Sequence, residues 1–522
     1  MLFTSLPFIV FVTVLLILYY LLPLRFRWGV LLAGSLFFYA QAGLSSLLYV
    51  AATVCTTYAA GLAMFKARFI RDEKISAASS KEEKKAVRAR AKSLCFKWLL
   101  ACLIVNFGIL AVIKYTGFLL ENLGILSAAN GGVFTGFVVP LGISFYTFQT
   151  MGYIIDVYRE KAKPETNILK LALFASFFPQ VIQGPISRFN DLSLTLLSGN
   201  IFHKKNLSFG AQRVLWGFFK KLVIADRLAA AMNALFTGEY AGVYALLAML
   251  LYAVVLYADF SGGIDITVGV AEMFGVKVAE NFDRPFYAPN IAEYWRRWHI
   301  SMGSWFRDYL FYPLSVCKPM LKLSAAARKK LGDTLGKRVT VYISLFTVWF
   351  MTGLWHGATW NFIVWGLVNG LFLLLTQEFQ PLYDKFRQKC RWSNSKGYAA
   401  FQIVRTFLLM CAIRSIDRYN GVGTAFRRIL SVFTEFNFTA LLNEGVTELG
   451  VTASGYIAAG LGLAVVLWVS FLQRNGKDIR EILAGKSWAL RSAALMGIFF
   501  MIVIFGAYGL GYDARQFMYN QF

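Results

Sequence analysis

Long apolar runs alternate along the chain with short segments rich in lysine and arginine. Runs such as FIVFVTVLLILYYLL (8–22), LLYVAATVCTTYAAGLAMF (47–65) and YIAAGLGLAVVLWVSFL (456–472) contain no charged residue. Each is long enough to be interpreted as a helix that crosses a hydrocarbon layer about 30 Å thick. The pattern predicts an all-α multi-pass membrane protein with about 10 to 13 transmembrane helices. We expect a single domain over residues 1–522.

Composition and charge support a membrane location. Hydrophobic residues make up 57% of the chain, which exceeds the apolar share of an ordinary soluble domain. The formal net charge of +25 could suggest a nucleic-acid partner. However, the basic residues fall between apolar runs, where they set orientation by the positive-inside rule. We therefore expect membrane lipid around the protein and no nucleic acid bound to it.

Four short basic segments predict which links face the cytosol. Residues 66–97 hold eleven Lys or Arg against four Asp or Glu, and residues 314–338 hold seven against one. Residues 385–396 and 474–486 are basic in the same way. The first apolar run has no basic residue before it and is followed by two arginines, so it predicts a retained span with the N-terminus outside.

Two stretches differ from ordinary spans. Residues 277–313 mix charges, aromatic rings and prolines too densely to face lipid, because a charge at mid-bilayer costs several kcal/mol. They predict interfacial or re-entrant helices on the cytosolic side. In FFPQVIQGPISRF (177–189), the Gly and Pro interruptions are tolerated at membrane depth only where backbone is buried in protein or lines a cavity.

Residues 339–376 contain no charged side chain, and His356 lies near their middle. At about 1.5 Å per residue the run spans about 57 Å, close to two passes of a bilayer core. Because basic segments flank both ends, the run predicts a helical hairpin. Gly353 and Gly357 could break the helix near the histidine, which would then lie deep or near the outer face.

A histidine within the membrane indicates function, since an apolar residue would be cheaper there. A neutral imidazole at His356 would suit proton abstraction from a hydroxyl that attacks an acyl donor. The alternative is an imidazole that only hydrogen-bonds across helices, near Thr352 or Thr359. No metal site is expected, because the six cysteines show no CxxC pair and no ligand spacing with the histidines.

His299 lies in EYWRRWHIS, beside Arg296 and Arg297, at a predicted cytosolic edge. An ordinary amphipathic interfacial helix has the same appearance. Alternatively, the arginines could attract the phosphates of a cytosolic cofactor.

Several ordered motifs carry a family resemblance that extends from the first span to the closing FMYNQF. The motifs are PLGISFYTFQTMGYIIDVYR (140–159), FPQVIQGPISRF (178–189), YADFSGGIDITVGVAEMFG (257–275), the segment NFDRPFYAPNIAEYWRRWHISMGSWFRDYLFYPL (281–314) and GLWHGATWNFIVWG (353–366). Through these motifs the chain resembles the membrane-bound O-acyltransferase family, and within it the membrane subunits that O-acetylate bacterial alginate, other exopolysaccharides or peptidoglycan.

The resemblance implies a funnel-shaped helical core, with a catalytic region at residues 277–376. It implies that His356 is catalytic and that His299 is a second functional histidine. Acetyl-CoA is the implied donor, with no metal. Resemblance and proximity together suggest supporting or substrate-binding roles for Trp355, Asn361, Arg297, Arg307 and Asp308.

The implied activity moves an acetyl group from cytosolic acetyl-CoA across the bacterial inner membrane to hydroxyls of an extracytoplasmic polysaccharide, either an exopolysaccharide or a cell-wall glycan. Outward links such as ENLGILSAANGG (121–132) are too short to fold into a polymer-binding groove. We therefore expect an extracytoplasmic partner, and the resemblance implies that it is a serine-hydrolase-like acetyltransferase or a polysaccharide-binding protein.

Two alternatives remain open from the sequence. A D-alanyl transferase of teichoic acids has similar motifs but takes its acyl group from a carrier protein; the FMYNQF end and the chain length favour the acetyl type. A polysaccharide or lipid transporter would also have many spans and broken helices. Transporters often show two related halves, and no such duplication is visible here.

Overall fold

The computed structural model describes residues 3–125, 139–439 and 446–508. Within these ranges the regular elements are helices, and the β pairing consists of one isolated bridge between Phe282 and Trp298. This confirms the all-α class. The closing FMYNQF motif and residues 126–132 of the outward link lie outside the described residues.

The helices range from single turns to spans of about forty residues. Those in the first half of the chain are Leu6–Leu21, Leu24–Ala40, Leu44–Ala77, Lys81–Asn122, Ile143–Tyr158, Ile168–Ser176, Phe178–Val181, Phe189–Leu196, Lys204–Phe218, the π-helical Phe219–Ala225, Asp226–Thr237 and Val243–Met273. Those that follow are Pro285–Tyr287, Ile291–Arg297, Ile300–Phe306, the π-helical Arg307–Phe311, Tyr312–Ser315, Lys318–His356, Trp360–Glu378, Gln380–Lys389, Arg391–Asn394, Lys396–Ser415, Val422–Thr434, Val446–Leu449, Ala453–Arg474, Ile479–Ala484 and Trp488–Phe505.

Eight helices in the described part of the chain are long and apolar enough to cross a membrane, which confirms a multi-pass protein. The sequence predicts about 10 to 13. Part of the difference comes from the apolar helix Leu6–Leu21, which has 16 residues. Such a helix is about 24 Å long, less than a hydrocarbon core of about 30 Å. The eight are Leu44–Ala77, Lys81–Asn122, Val243–Met273, Lys318–His356, Trp360–Glu378, Lys396–Ser415, Ala453–Arg474 and Trp488–Phe505.

The two longest basic segments are helical, not loops. Residues 66–97 form the facing ends of two helices that are joined by a three-residue turn. At this turn Ser80 caps the second helix by accepting the N–H of Glu83 at 3.0 Å, while the Glu83 carboxylate accepts the N–H of Ser79 at 3.3 Å. Lysine, alanine and arginine are strong helix formers, so residues 66–97 extend two spans. The helix Lys318–His356 is kinked at Gly332, whose φ and ψ of 78° and 167° are not helical, so its basic N-terminal part does not continue the span in a straight line. Their cytosolic location stays a prediction.

Contacts between Cα atoms divide the chain into two compact units. The first comprises Met1–Gly210 and Thr267–Ala279, and the second comprises Ala211–Ile266 and Glu280–Phe522. In the first unit the broken stretch at 177–189 is almost entirely buried, as the sequence predicts. The amide nitrogen of Gln180 donates there to the carbonyl of Pro185 and the hydroxyl of Ser187, at 3.1 and 2.6 Å.

The predicted hairpin lies in the second unit and is confirmed. Its helices are Lys318–His356 and Trp360–Glu378, so the break falls just after the histidine, at Gly357. Close approach of the two helices depends on glycine. A Cβ atom at Gly366 would lie 2.3 Å from the carbonyl oxygen of Trp349. This distance is too short for any side chain, so the position requires glycine.

Candidate active site

His299 belongs to a loop, residues 281–300, whose two ends are joined by antiparallel backbone hydrogen bonds. The N–H of Asp283 donates to the carbonyl of Arg297 at 2.9 Å, and the N–H of Ile300 donates to the carbonyl of Asn281 at 3.0 Å. The loop encloses a short helix and therefore returns His299 to the side of Asn281. Short helices are thus observed in residues 277–313: Pro285–Tyr287 and Ile291–Arg297 lie within the loop, and the others follow it. Their interfacial or re-entrant position stays a prediction.

The backbone of His299 is strained. Its φ and ψ of 49° and 52° lie in the left-handed region, and its side chain is buried. Among the described residues, three non-glycine residues have positive φ: Glu160, Arg284 and His299. Two of these belong to the loop 281–300. Such conformations cost about 1–3 kcal/mol each and concentrate at functional sites.

The hydrogen bonds around Asn281 define the tautomer of His299. The Asn281 Oδ1 accepts hydrogen bonds from the backbone N–H of Ser301 at 3.0 Å and from the hydroxyl of Ser301 at 2.9 Å. Because a backbone N–H only donates, this atom must be the amide oxygen. The His299 Nδ1, 3.3 Å from the same oxygen, must then carry the hydrogen. The lone pair of the neutral ring is therefore on Nε2.

His299 lies outside the eight candidate spans, and its surroundings keep it neutral. Burial lowers the pKa of its imidazole to about 3, and the positive charge of Arg414 lowers it in the same direction. A ring with this pKa is uncharged near pH 7. It can accept a hydrogen bond at Nε2, but it is a weak proton acceptor.

The two candidate histidines are neighbours. The ring centroids of His299 and His356 are 6.5 Å apart, with an angle of 71° between the planes. Trp355 packs against both, at 5.0 Å from His356 and 6.0 Å from His299. The sequence predicts His299 at the cytosolic edge and His356 deep or near the outer face. The structure corrects this separation, because the loop 281–300 holds the buried His299 beside His356.

An arginine that the sequence analysis missed lies next to the histidines. The Arg414 guanidinium is 4.5 Å from the ring centre of Trp298 and 5.1 Å from those of Trp295 and Trp365. Trp365 in turn packs edge-on against His356 at 5.1 Å. We call these three tryptophans the tryptophan cage. Cation–π contacts in a desolvated site stabilise such a charge by about 2 kcal/mol.

The cage contains hydrogen-bond donors that have no acceptor among the described residues. They are Nε and Nη2 of Arg414 and Nε1 of Trp365. Arg414 is 5% exposed and Trp365 is fully buried. The available sequence signal for Arg414 was a charge in the otherwise apolar run FLLMCAIRS (407–415).

Asn361 stabilises the neighbouring backbone. Its amide nitrogen donates to the carbonyls of Ile416 and Tyr419, at 2.8 and 2.9 Å. These carbonyls follow the helix Lys396–Ser415, which carries Arg414. Asn361 therefore ties the hairpin to the turn beyond the arginine, while Trp355 contacts the histidines directly.

The predicted charged residues lie elsewhere around the loop. Arg297 is 3.6 Å from a carboxylate oxygen of Glu293, and both are partly buried. Arg307 and Asp308 form an ion pair with each other at 3.0 Å, with 58% and 36% of their side chains exposed. The ring contacts of the two histidines involve none of these three, and their roles stay predictions.

A buried ion pair lies next to Phe260, a residue that packs against His299. Lys221 belongs to the π-helical segment Phe219–Ala225, and its Nζ is 2.6 Å from Asp259. Both side chains are 1% exposed. The next residue, Phe260, packs its ring edge-on against His299 at 4.9 Å. The pair therefore anchors the helix Val243–Met273 where it contacts the site. The sequence signal for this ion pair was the presence of two adjacent lysines in an apolar run.

Among the described residues, no group of three or more His, Cys, Asp or Glu side chains could hold a metal ion. What the site offers is two imidazoles, buried N–H donors and aromatic walls. This combination can hold a hydroxyl group and polarise a carbonyl away from water.

Comparison with known proteins identifies relatives that match from half to most of the chain. The sequence model of the membrane-bound O-acyltransferase family matches residues 159–327, a range that includes His299 and ends before His356. The chain is 32% identical over 494 residues to a Pseudomonas syringae pv. tomato protein named "Probable alginate O-acetylase AlgI". That alignment covers 92% of this chain and 84% of the relative.

Two further relatives have other named acceptors. The peptidoglycan O-acetyltransferase of Helicobacter pylori is 32% identical over 317 residues, covering 55% of this chain and 57% of its own. The teichoic acid D-alanyltransferase of Bacillus subtilis is 29% identical over 283 residues, covering 52% of this chain and 66% of its own.

Proposed function

From the premise that the chain belongs to the membrane-bound O-acyltransferase family, we propose that it moves an acetyl group from cytosolic acetyl-CoA to hydroxyls of a polysaccharide outside the bacterial inner membrane. The observation that carries this proposal is the pair of buried histidines, with ring centroids 6.5 Å apart, beside buried N–H donors. Two relatives named as O-acetylating enzymes support acetyl as the group transferred.

In the proposed reaction a hydroxyl oxygen bonds to the acetyl carbonyl carbon, and the carbon–sulfur bond of the thioester breaks. The hydroxyl proton passes to an imidazole nitrogen of His356 and from there to the leaving sulfur, so that free CoA departs. His299 is the positioning group. Its Nε2 lone pair accepts a hydrogen bond that orients the reacting groups. Its low pKa keeps it from taking the hydroxyl proton.

The tryptophan cage supplies the electrostatic part of this mechanism. Negative charge develops on the thioester carbonyl oxygen as the hydroxyl attacks. Buried donors aimed at such an oxygen typically contribute about 100- to 1000-fold in rate, because little reorganisation is needed in a dry site. Arg414 and the indole N–H of Trp365 are our candidates for these donors.

We further propose that an extracytoplasmic partner protein either receives the acetyl group or presents the polysaccharide. The predicted outward links are short, and a polymer needs a groove on a substantial folded surface. A serine-hydrolase-like acetyltransferase or a polysaccharide-binding protein would fill this need.

The second candidate function is transfer of D-alanine from a carrier protein to teichoic acid. The similarity to a D-alanyltransferase favours it. That similarity covers 52% of this chain, against 92% for the alginate relative, so we prefer the acetyl donor. Transport without acyl chemistry is the least supported of the three, since family membership points to acyl transfer.

The test is release of free CoA from acetyl-CoA by purified protein in lipid nanodiscs, with and without an acceptor polysaccharide. We expect release by the wild type and loss of nearly all release in His356→Ala, with unchanged elution on size-exclusion chromatography. Full activity of His356→Ala would exclude the proposed base. Activity with a D-alanyl carrier protein in place of acetyl-CoA would select the second candidate. Acetylation of the polymer with no second protein present would exclude the partner.

A further inference from the structure

A cavity of about 250 Å³ lies in the second unit, beside the loop that carries His299. Three arginines from different parts of the chain line it: Arg284, Arg297 and Arg474. The other lining residues are Tyr287, Pro289, Ala399 and Ile403. Its lining contains three positive charges and no acidic residue.

Arg284 and Arg297 each contact one carboxylate, and these contacts do not use all the N–H donors of the two guanidinium groups. Arg284 is 2.5 Å from Asp283, and Arg297 is 3.6 Å from Glu293. Arg474 lies over the ring of Tyr287 at 5.7 Å. A guanidinium has five N–H donors in a fork that matches phosphate oxygens, so one carboxylate contact does not saturate it.

The cavity is at the level where two candidate spans begin and end. Arg474 is the last residue of the helix Ala453–Arg474, while Ala399 and Ile403 belong to the first two turns of Lys396–Ser415. The hydroxyl of Tyr287 donates to the carbonyl of Leu467 at 2.9 Å, which joins the loop to the first of these helices. Tyrosine and arginine at span ends are typical of the membrane–water interface.

The backbone of the loop is strained at the cavity. Arg284 has a φ of 51°, and His299 at the far end of the same loop has a φ of 49°. One loop therefore presents one strained residue to the cavity and one to the histidine pair. Arg297, which lines the cavity, is two residues from His299 in the same loop.

We propose that this cavity binds a phosphate or pyrophosphate group at the membrane interface. Its volume is below the roughly 300–1,000 Å³ of pockets that enclose a whole drug-sized ligand, so it takes the charged part of a larger molecule. Two sources have this chemistry: the phosphates of the CoA donor, which rests on the proposed function, and the headgroup of an anionic phospholipid.

The test compares Arg474→Gln with Arg387→Gln in nanodiscs. Arg387 is an exposed arginine on the helix Gln380–Lys389, so its substitution removes the same charge outside the cavity. In phosphatidylcholine discs we measure the dissociation constant of CoA by calorimetry. In discs that contain phosphatidylglycerol we measure, by native mass spectrometry, how much of that lipid stays bound to the protein.

If CoA is the source, Arg474→Gln weakens CoA binding by about tenfold or more, the loss expected for one hydrogen bond to a charged group, and Arg387→Gln does not. If lipid is the source, Arg474→Gln loses retained phosphatidylglycerol while CoA binding is unchanged. Equal behaviour of the two variants in both measurements overturns the proposal. Absence of CoA binding and turnover in the wild type would instead contradict the proposed donor, and the lipid measurement would still test the cavity.

Discussion

At the scale of single residues, the chemistry of the site depends on a neutral His299. Its tautomer is set by Asn281, and its low pKa is set by burial and by Arg414. Both features keep a lone pair on Nε2 at neutral pH. The sequence identified this histidine but left an amphipathic interfacial helix as an equal interpretation, because local pattern does not report burial.

The pKa of His299 predicts how stability changes with pH. The folded value of about 3 is below the unfolded value of about 6.5, so the unfolded chain binds the proton more tightly. The stabilisation is complete above pH 6.5 and is lost as pH falls towards 3, by on the order of 2 kcal/mol at pH 5. We expect the thermal midpoint of the wild type to fall more between pH 7 and 5 than that of His299→Asn.

Asparagine suits this comparison because it tolerates the left-handed backbone. The midpoints can be measured in detergent by tryptophan fluorescence. Parallel curves for the two proteins would mean that His299 does not titrate on unfolding as the structure implies.

Arg414 allows a second prediction at this scale. If its N–H groups stabilise the developing oxyanion, Arg414→Gln should lower kcat by about 100-fold with little change in KM. Arg414→Lys keeps the charge but loses the planar fork and the stacking on three tryptophans, so it should recover little activity. Steady-state CoA release with varied acetyl-CoA measures both constants. A rise in KM at constant kcat would assign Arg414 to donor binding instead.

At the scale of elements, the hairpin positions His356. The sequence predicted it correctly, since an uncharged run of 38 residues between basic segments has few other solutions. The position of the break was narrowed to two glycines, and the structure selects Gly357 over Gly353. The two long basic segments were predicted as links and are helical. In these segments the charged residues indicate exposure to solvent, whereas the helix propensity of the residues determines the local conformation.

Glycines in the hairpin provide the test at this scale. Gly366→Ala would place its Cβ 2.3 Å from a backbone carbonyl, so it should separate the helices and lower the thermal midpoint and the activity. Overpacking of this kind typically costs about 1–3 kcal/mol. Gly460→Ala is the matched control, because a Cβ at that helical position meets nothing within 4 Å. The control should be neutral or slightly stabilising. Equal midpoints for the two variants would contradict the packing argument.

Buried charge pairs also act at the scale of elements. Lys220 and Lys221 lie in one π-helical turn, and each pairs with an aspartate of the helix Val243–Met273: Lys220 with Asp265 and Lys221 with Asp259, both at 2.6 Å. Removing one partner of such a pair is costly because it leaves a buried charge. No local sequence rule could match these partners: Lys221 and Asp259, for example, are 38 positions apart.

At the scale of the whole molecule, the orientation in the membrane stays a prediction from charge. Residues 314–338 carry seven Lys or Arg against one Asp, so they should face the cytosol. We expect Ala326→Cys, at an exposed position of the helix Lys318–His356, to react with an impermeant thiol reagent in broken cells only. The wild type, which has exposed Cys55, provides the background. Extra labelling of intact cells would reverse the orientation.

The amino-acid sequence by itself determined the class of protein and the hairpin, and it selected His299, His356 and Trp355 as candidate site residues. These features depend on composition, on runs of consecutive residues and on motifs, all of which are properties of neighbouring positions. The tertiary structure alone decided that His299 and His356 lie 6.5 Å apart, that Asn281 sets the tautomer and that a tryptophan cage holds Arg414. Each of these is a contact between segments far apart in the chain, and such distances follow from packing, which no local pattern encodes.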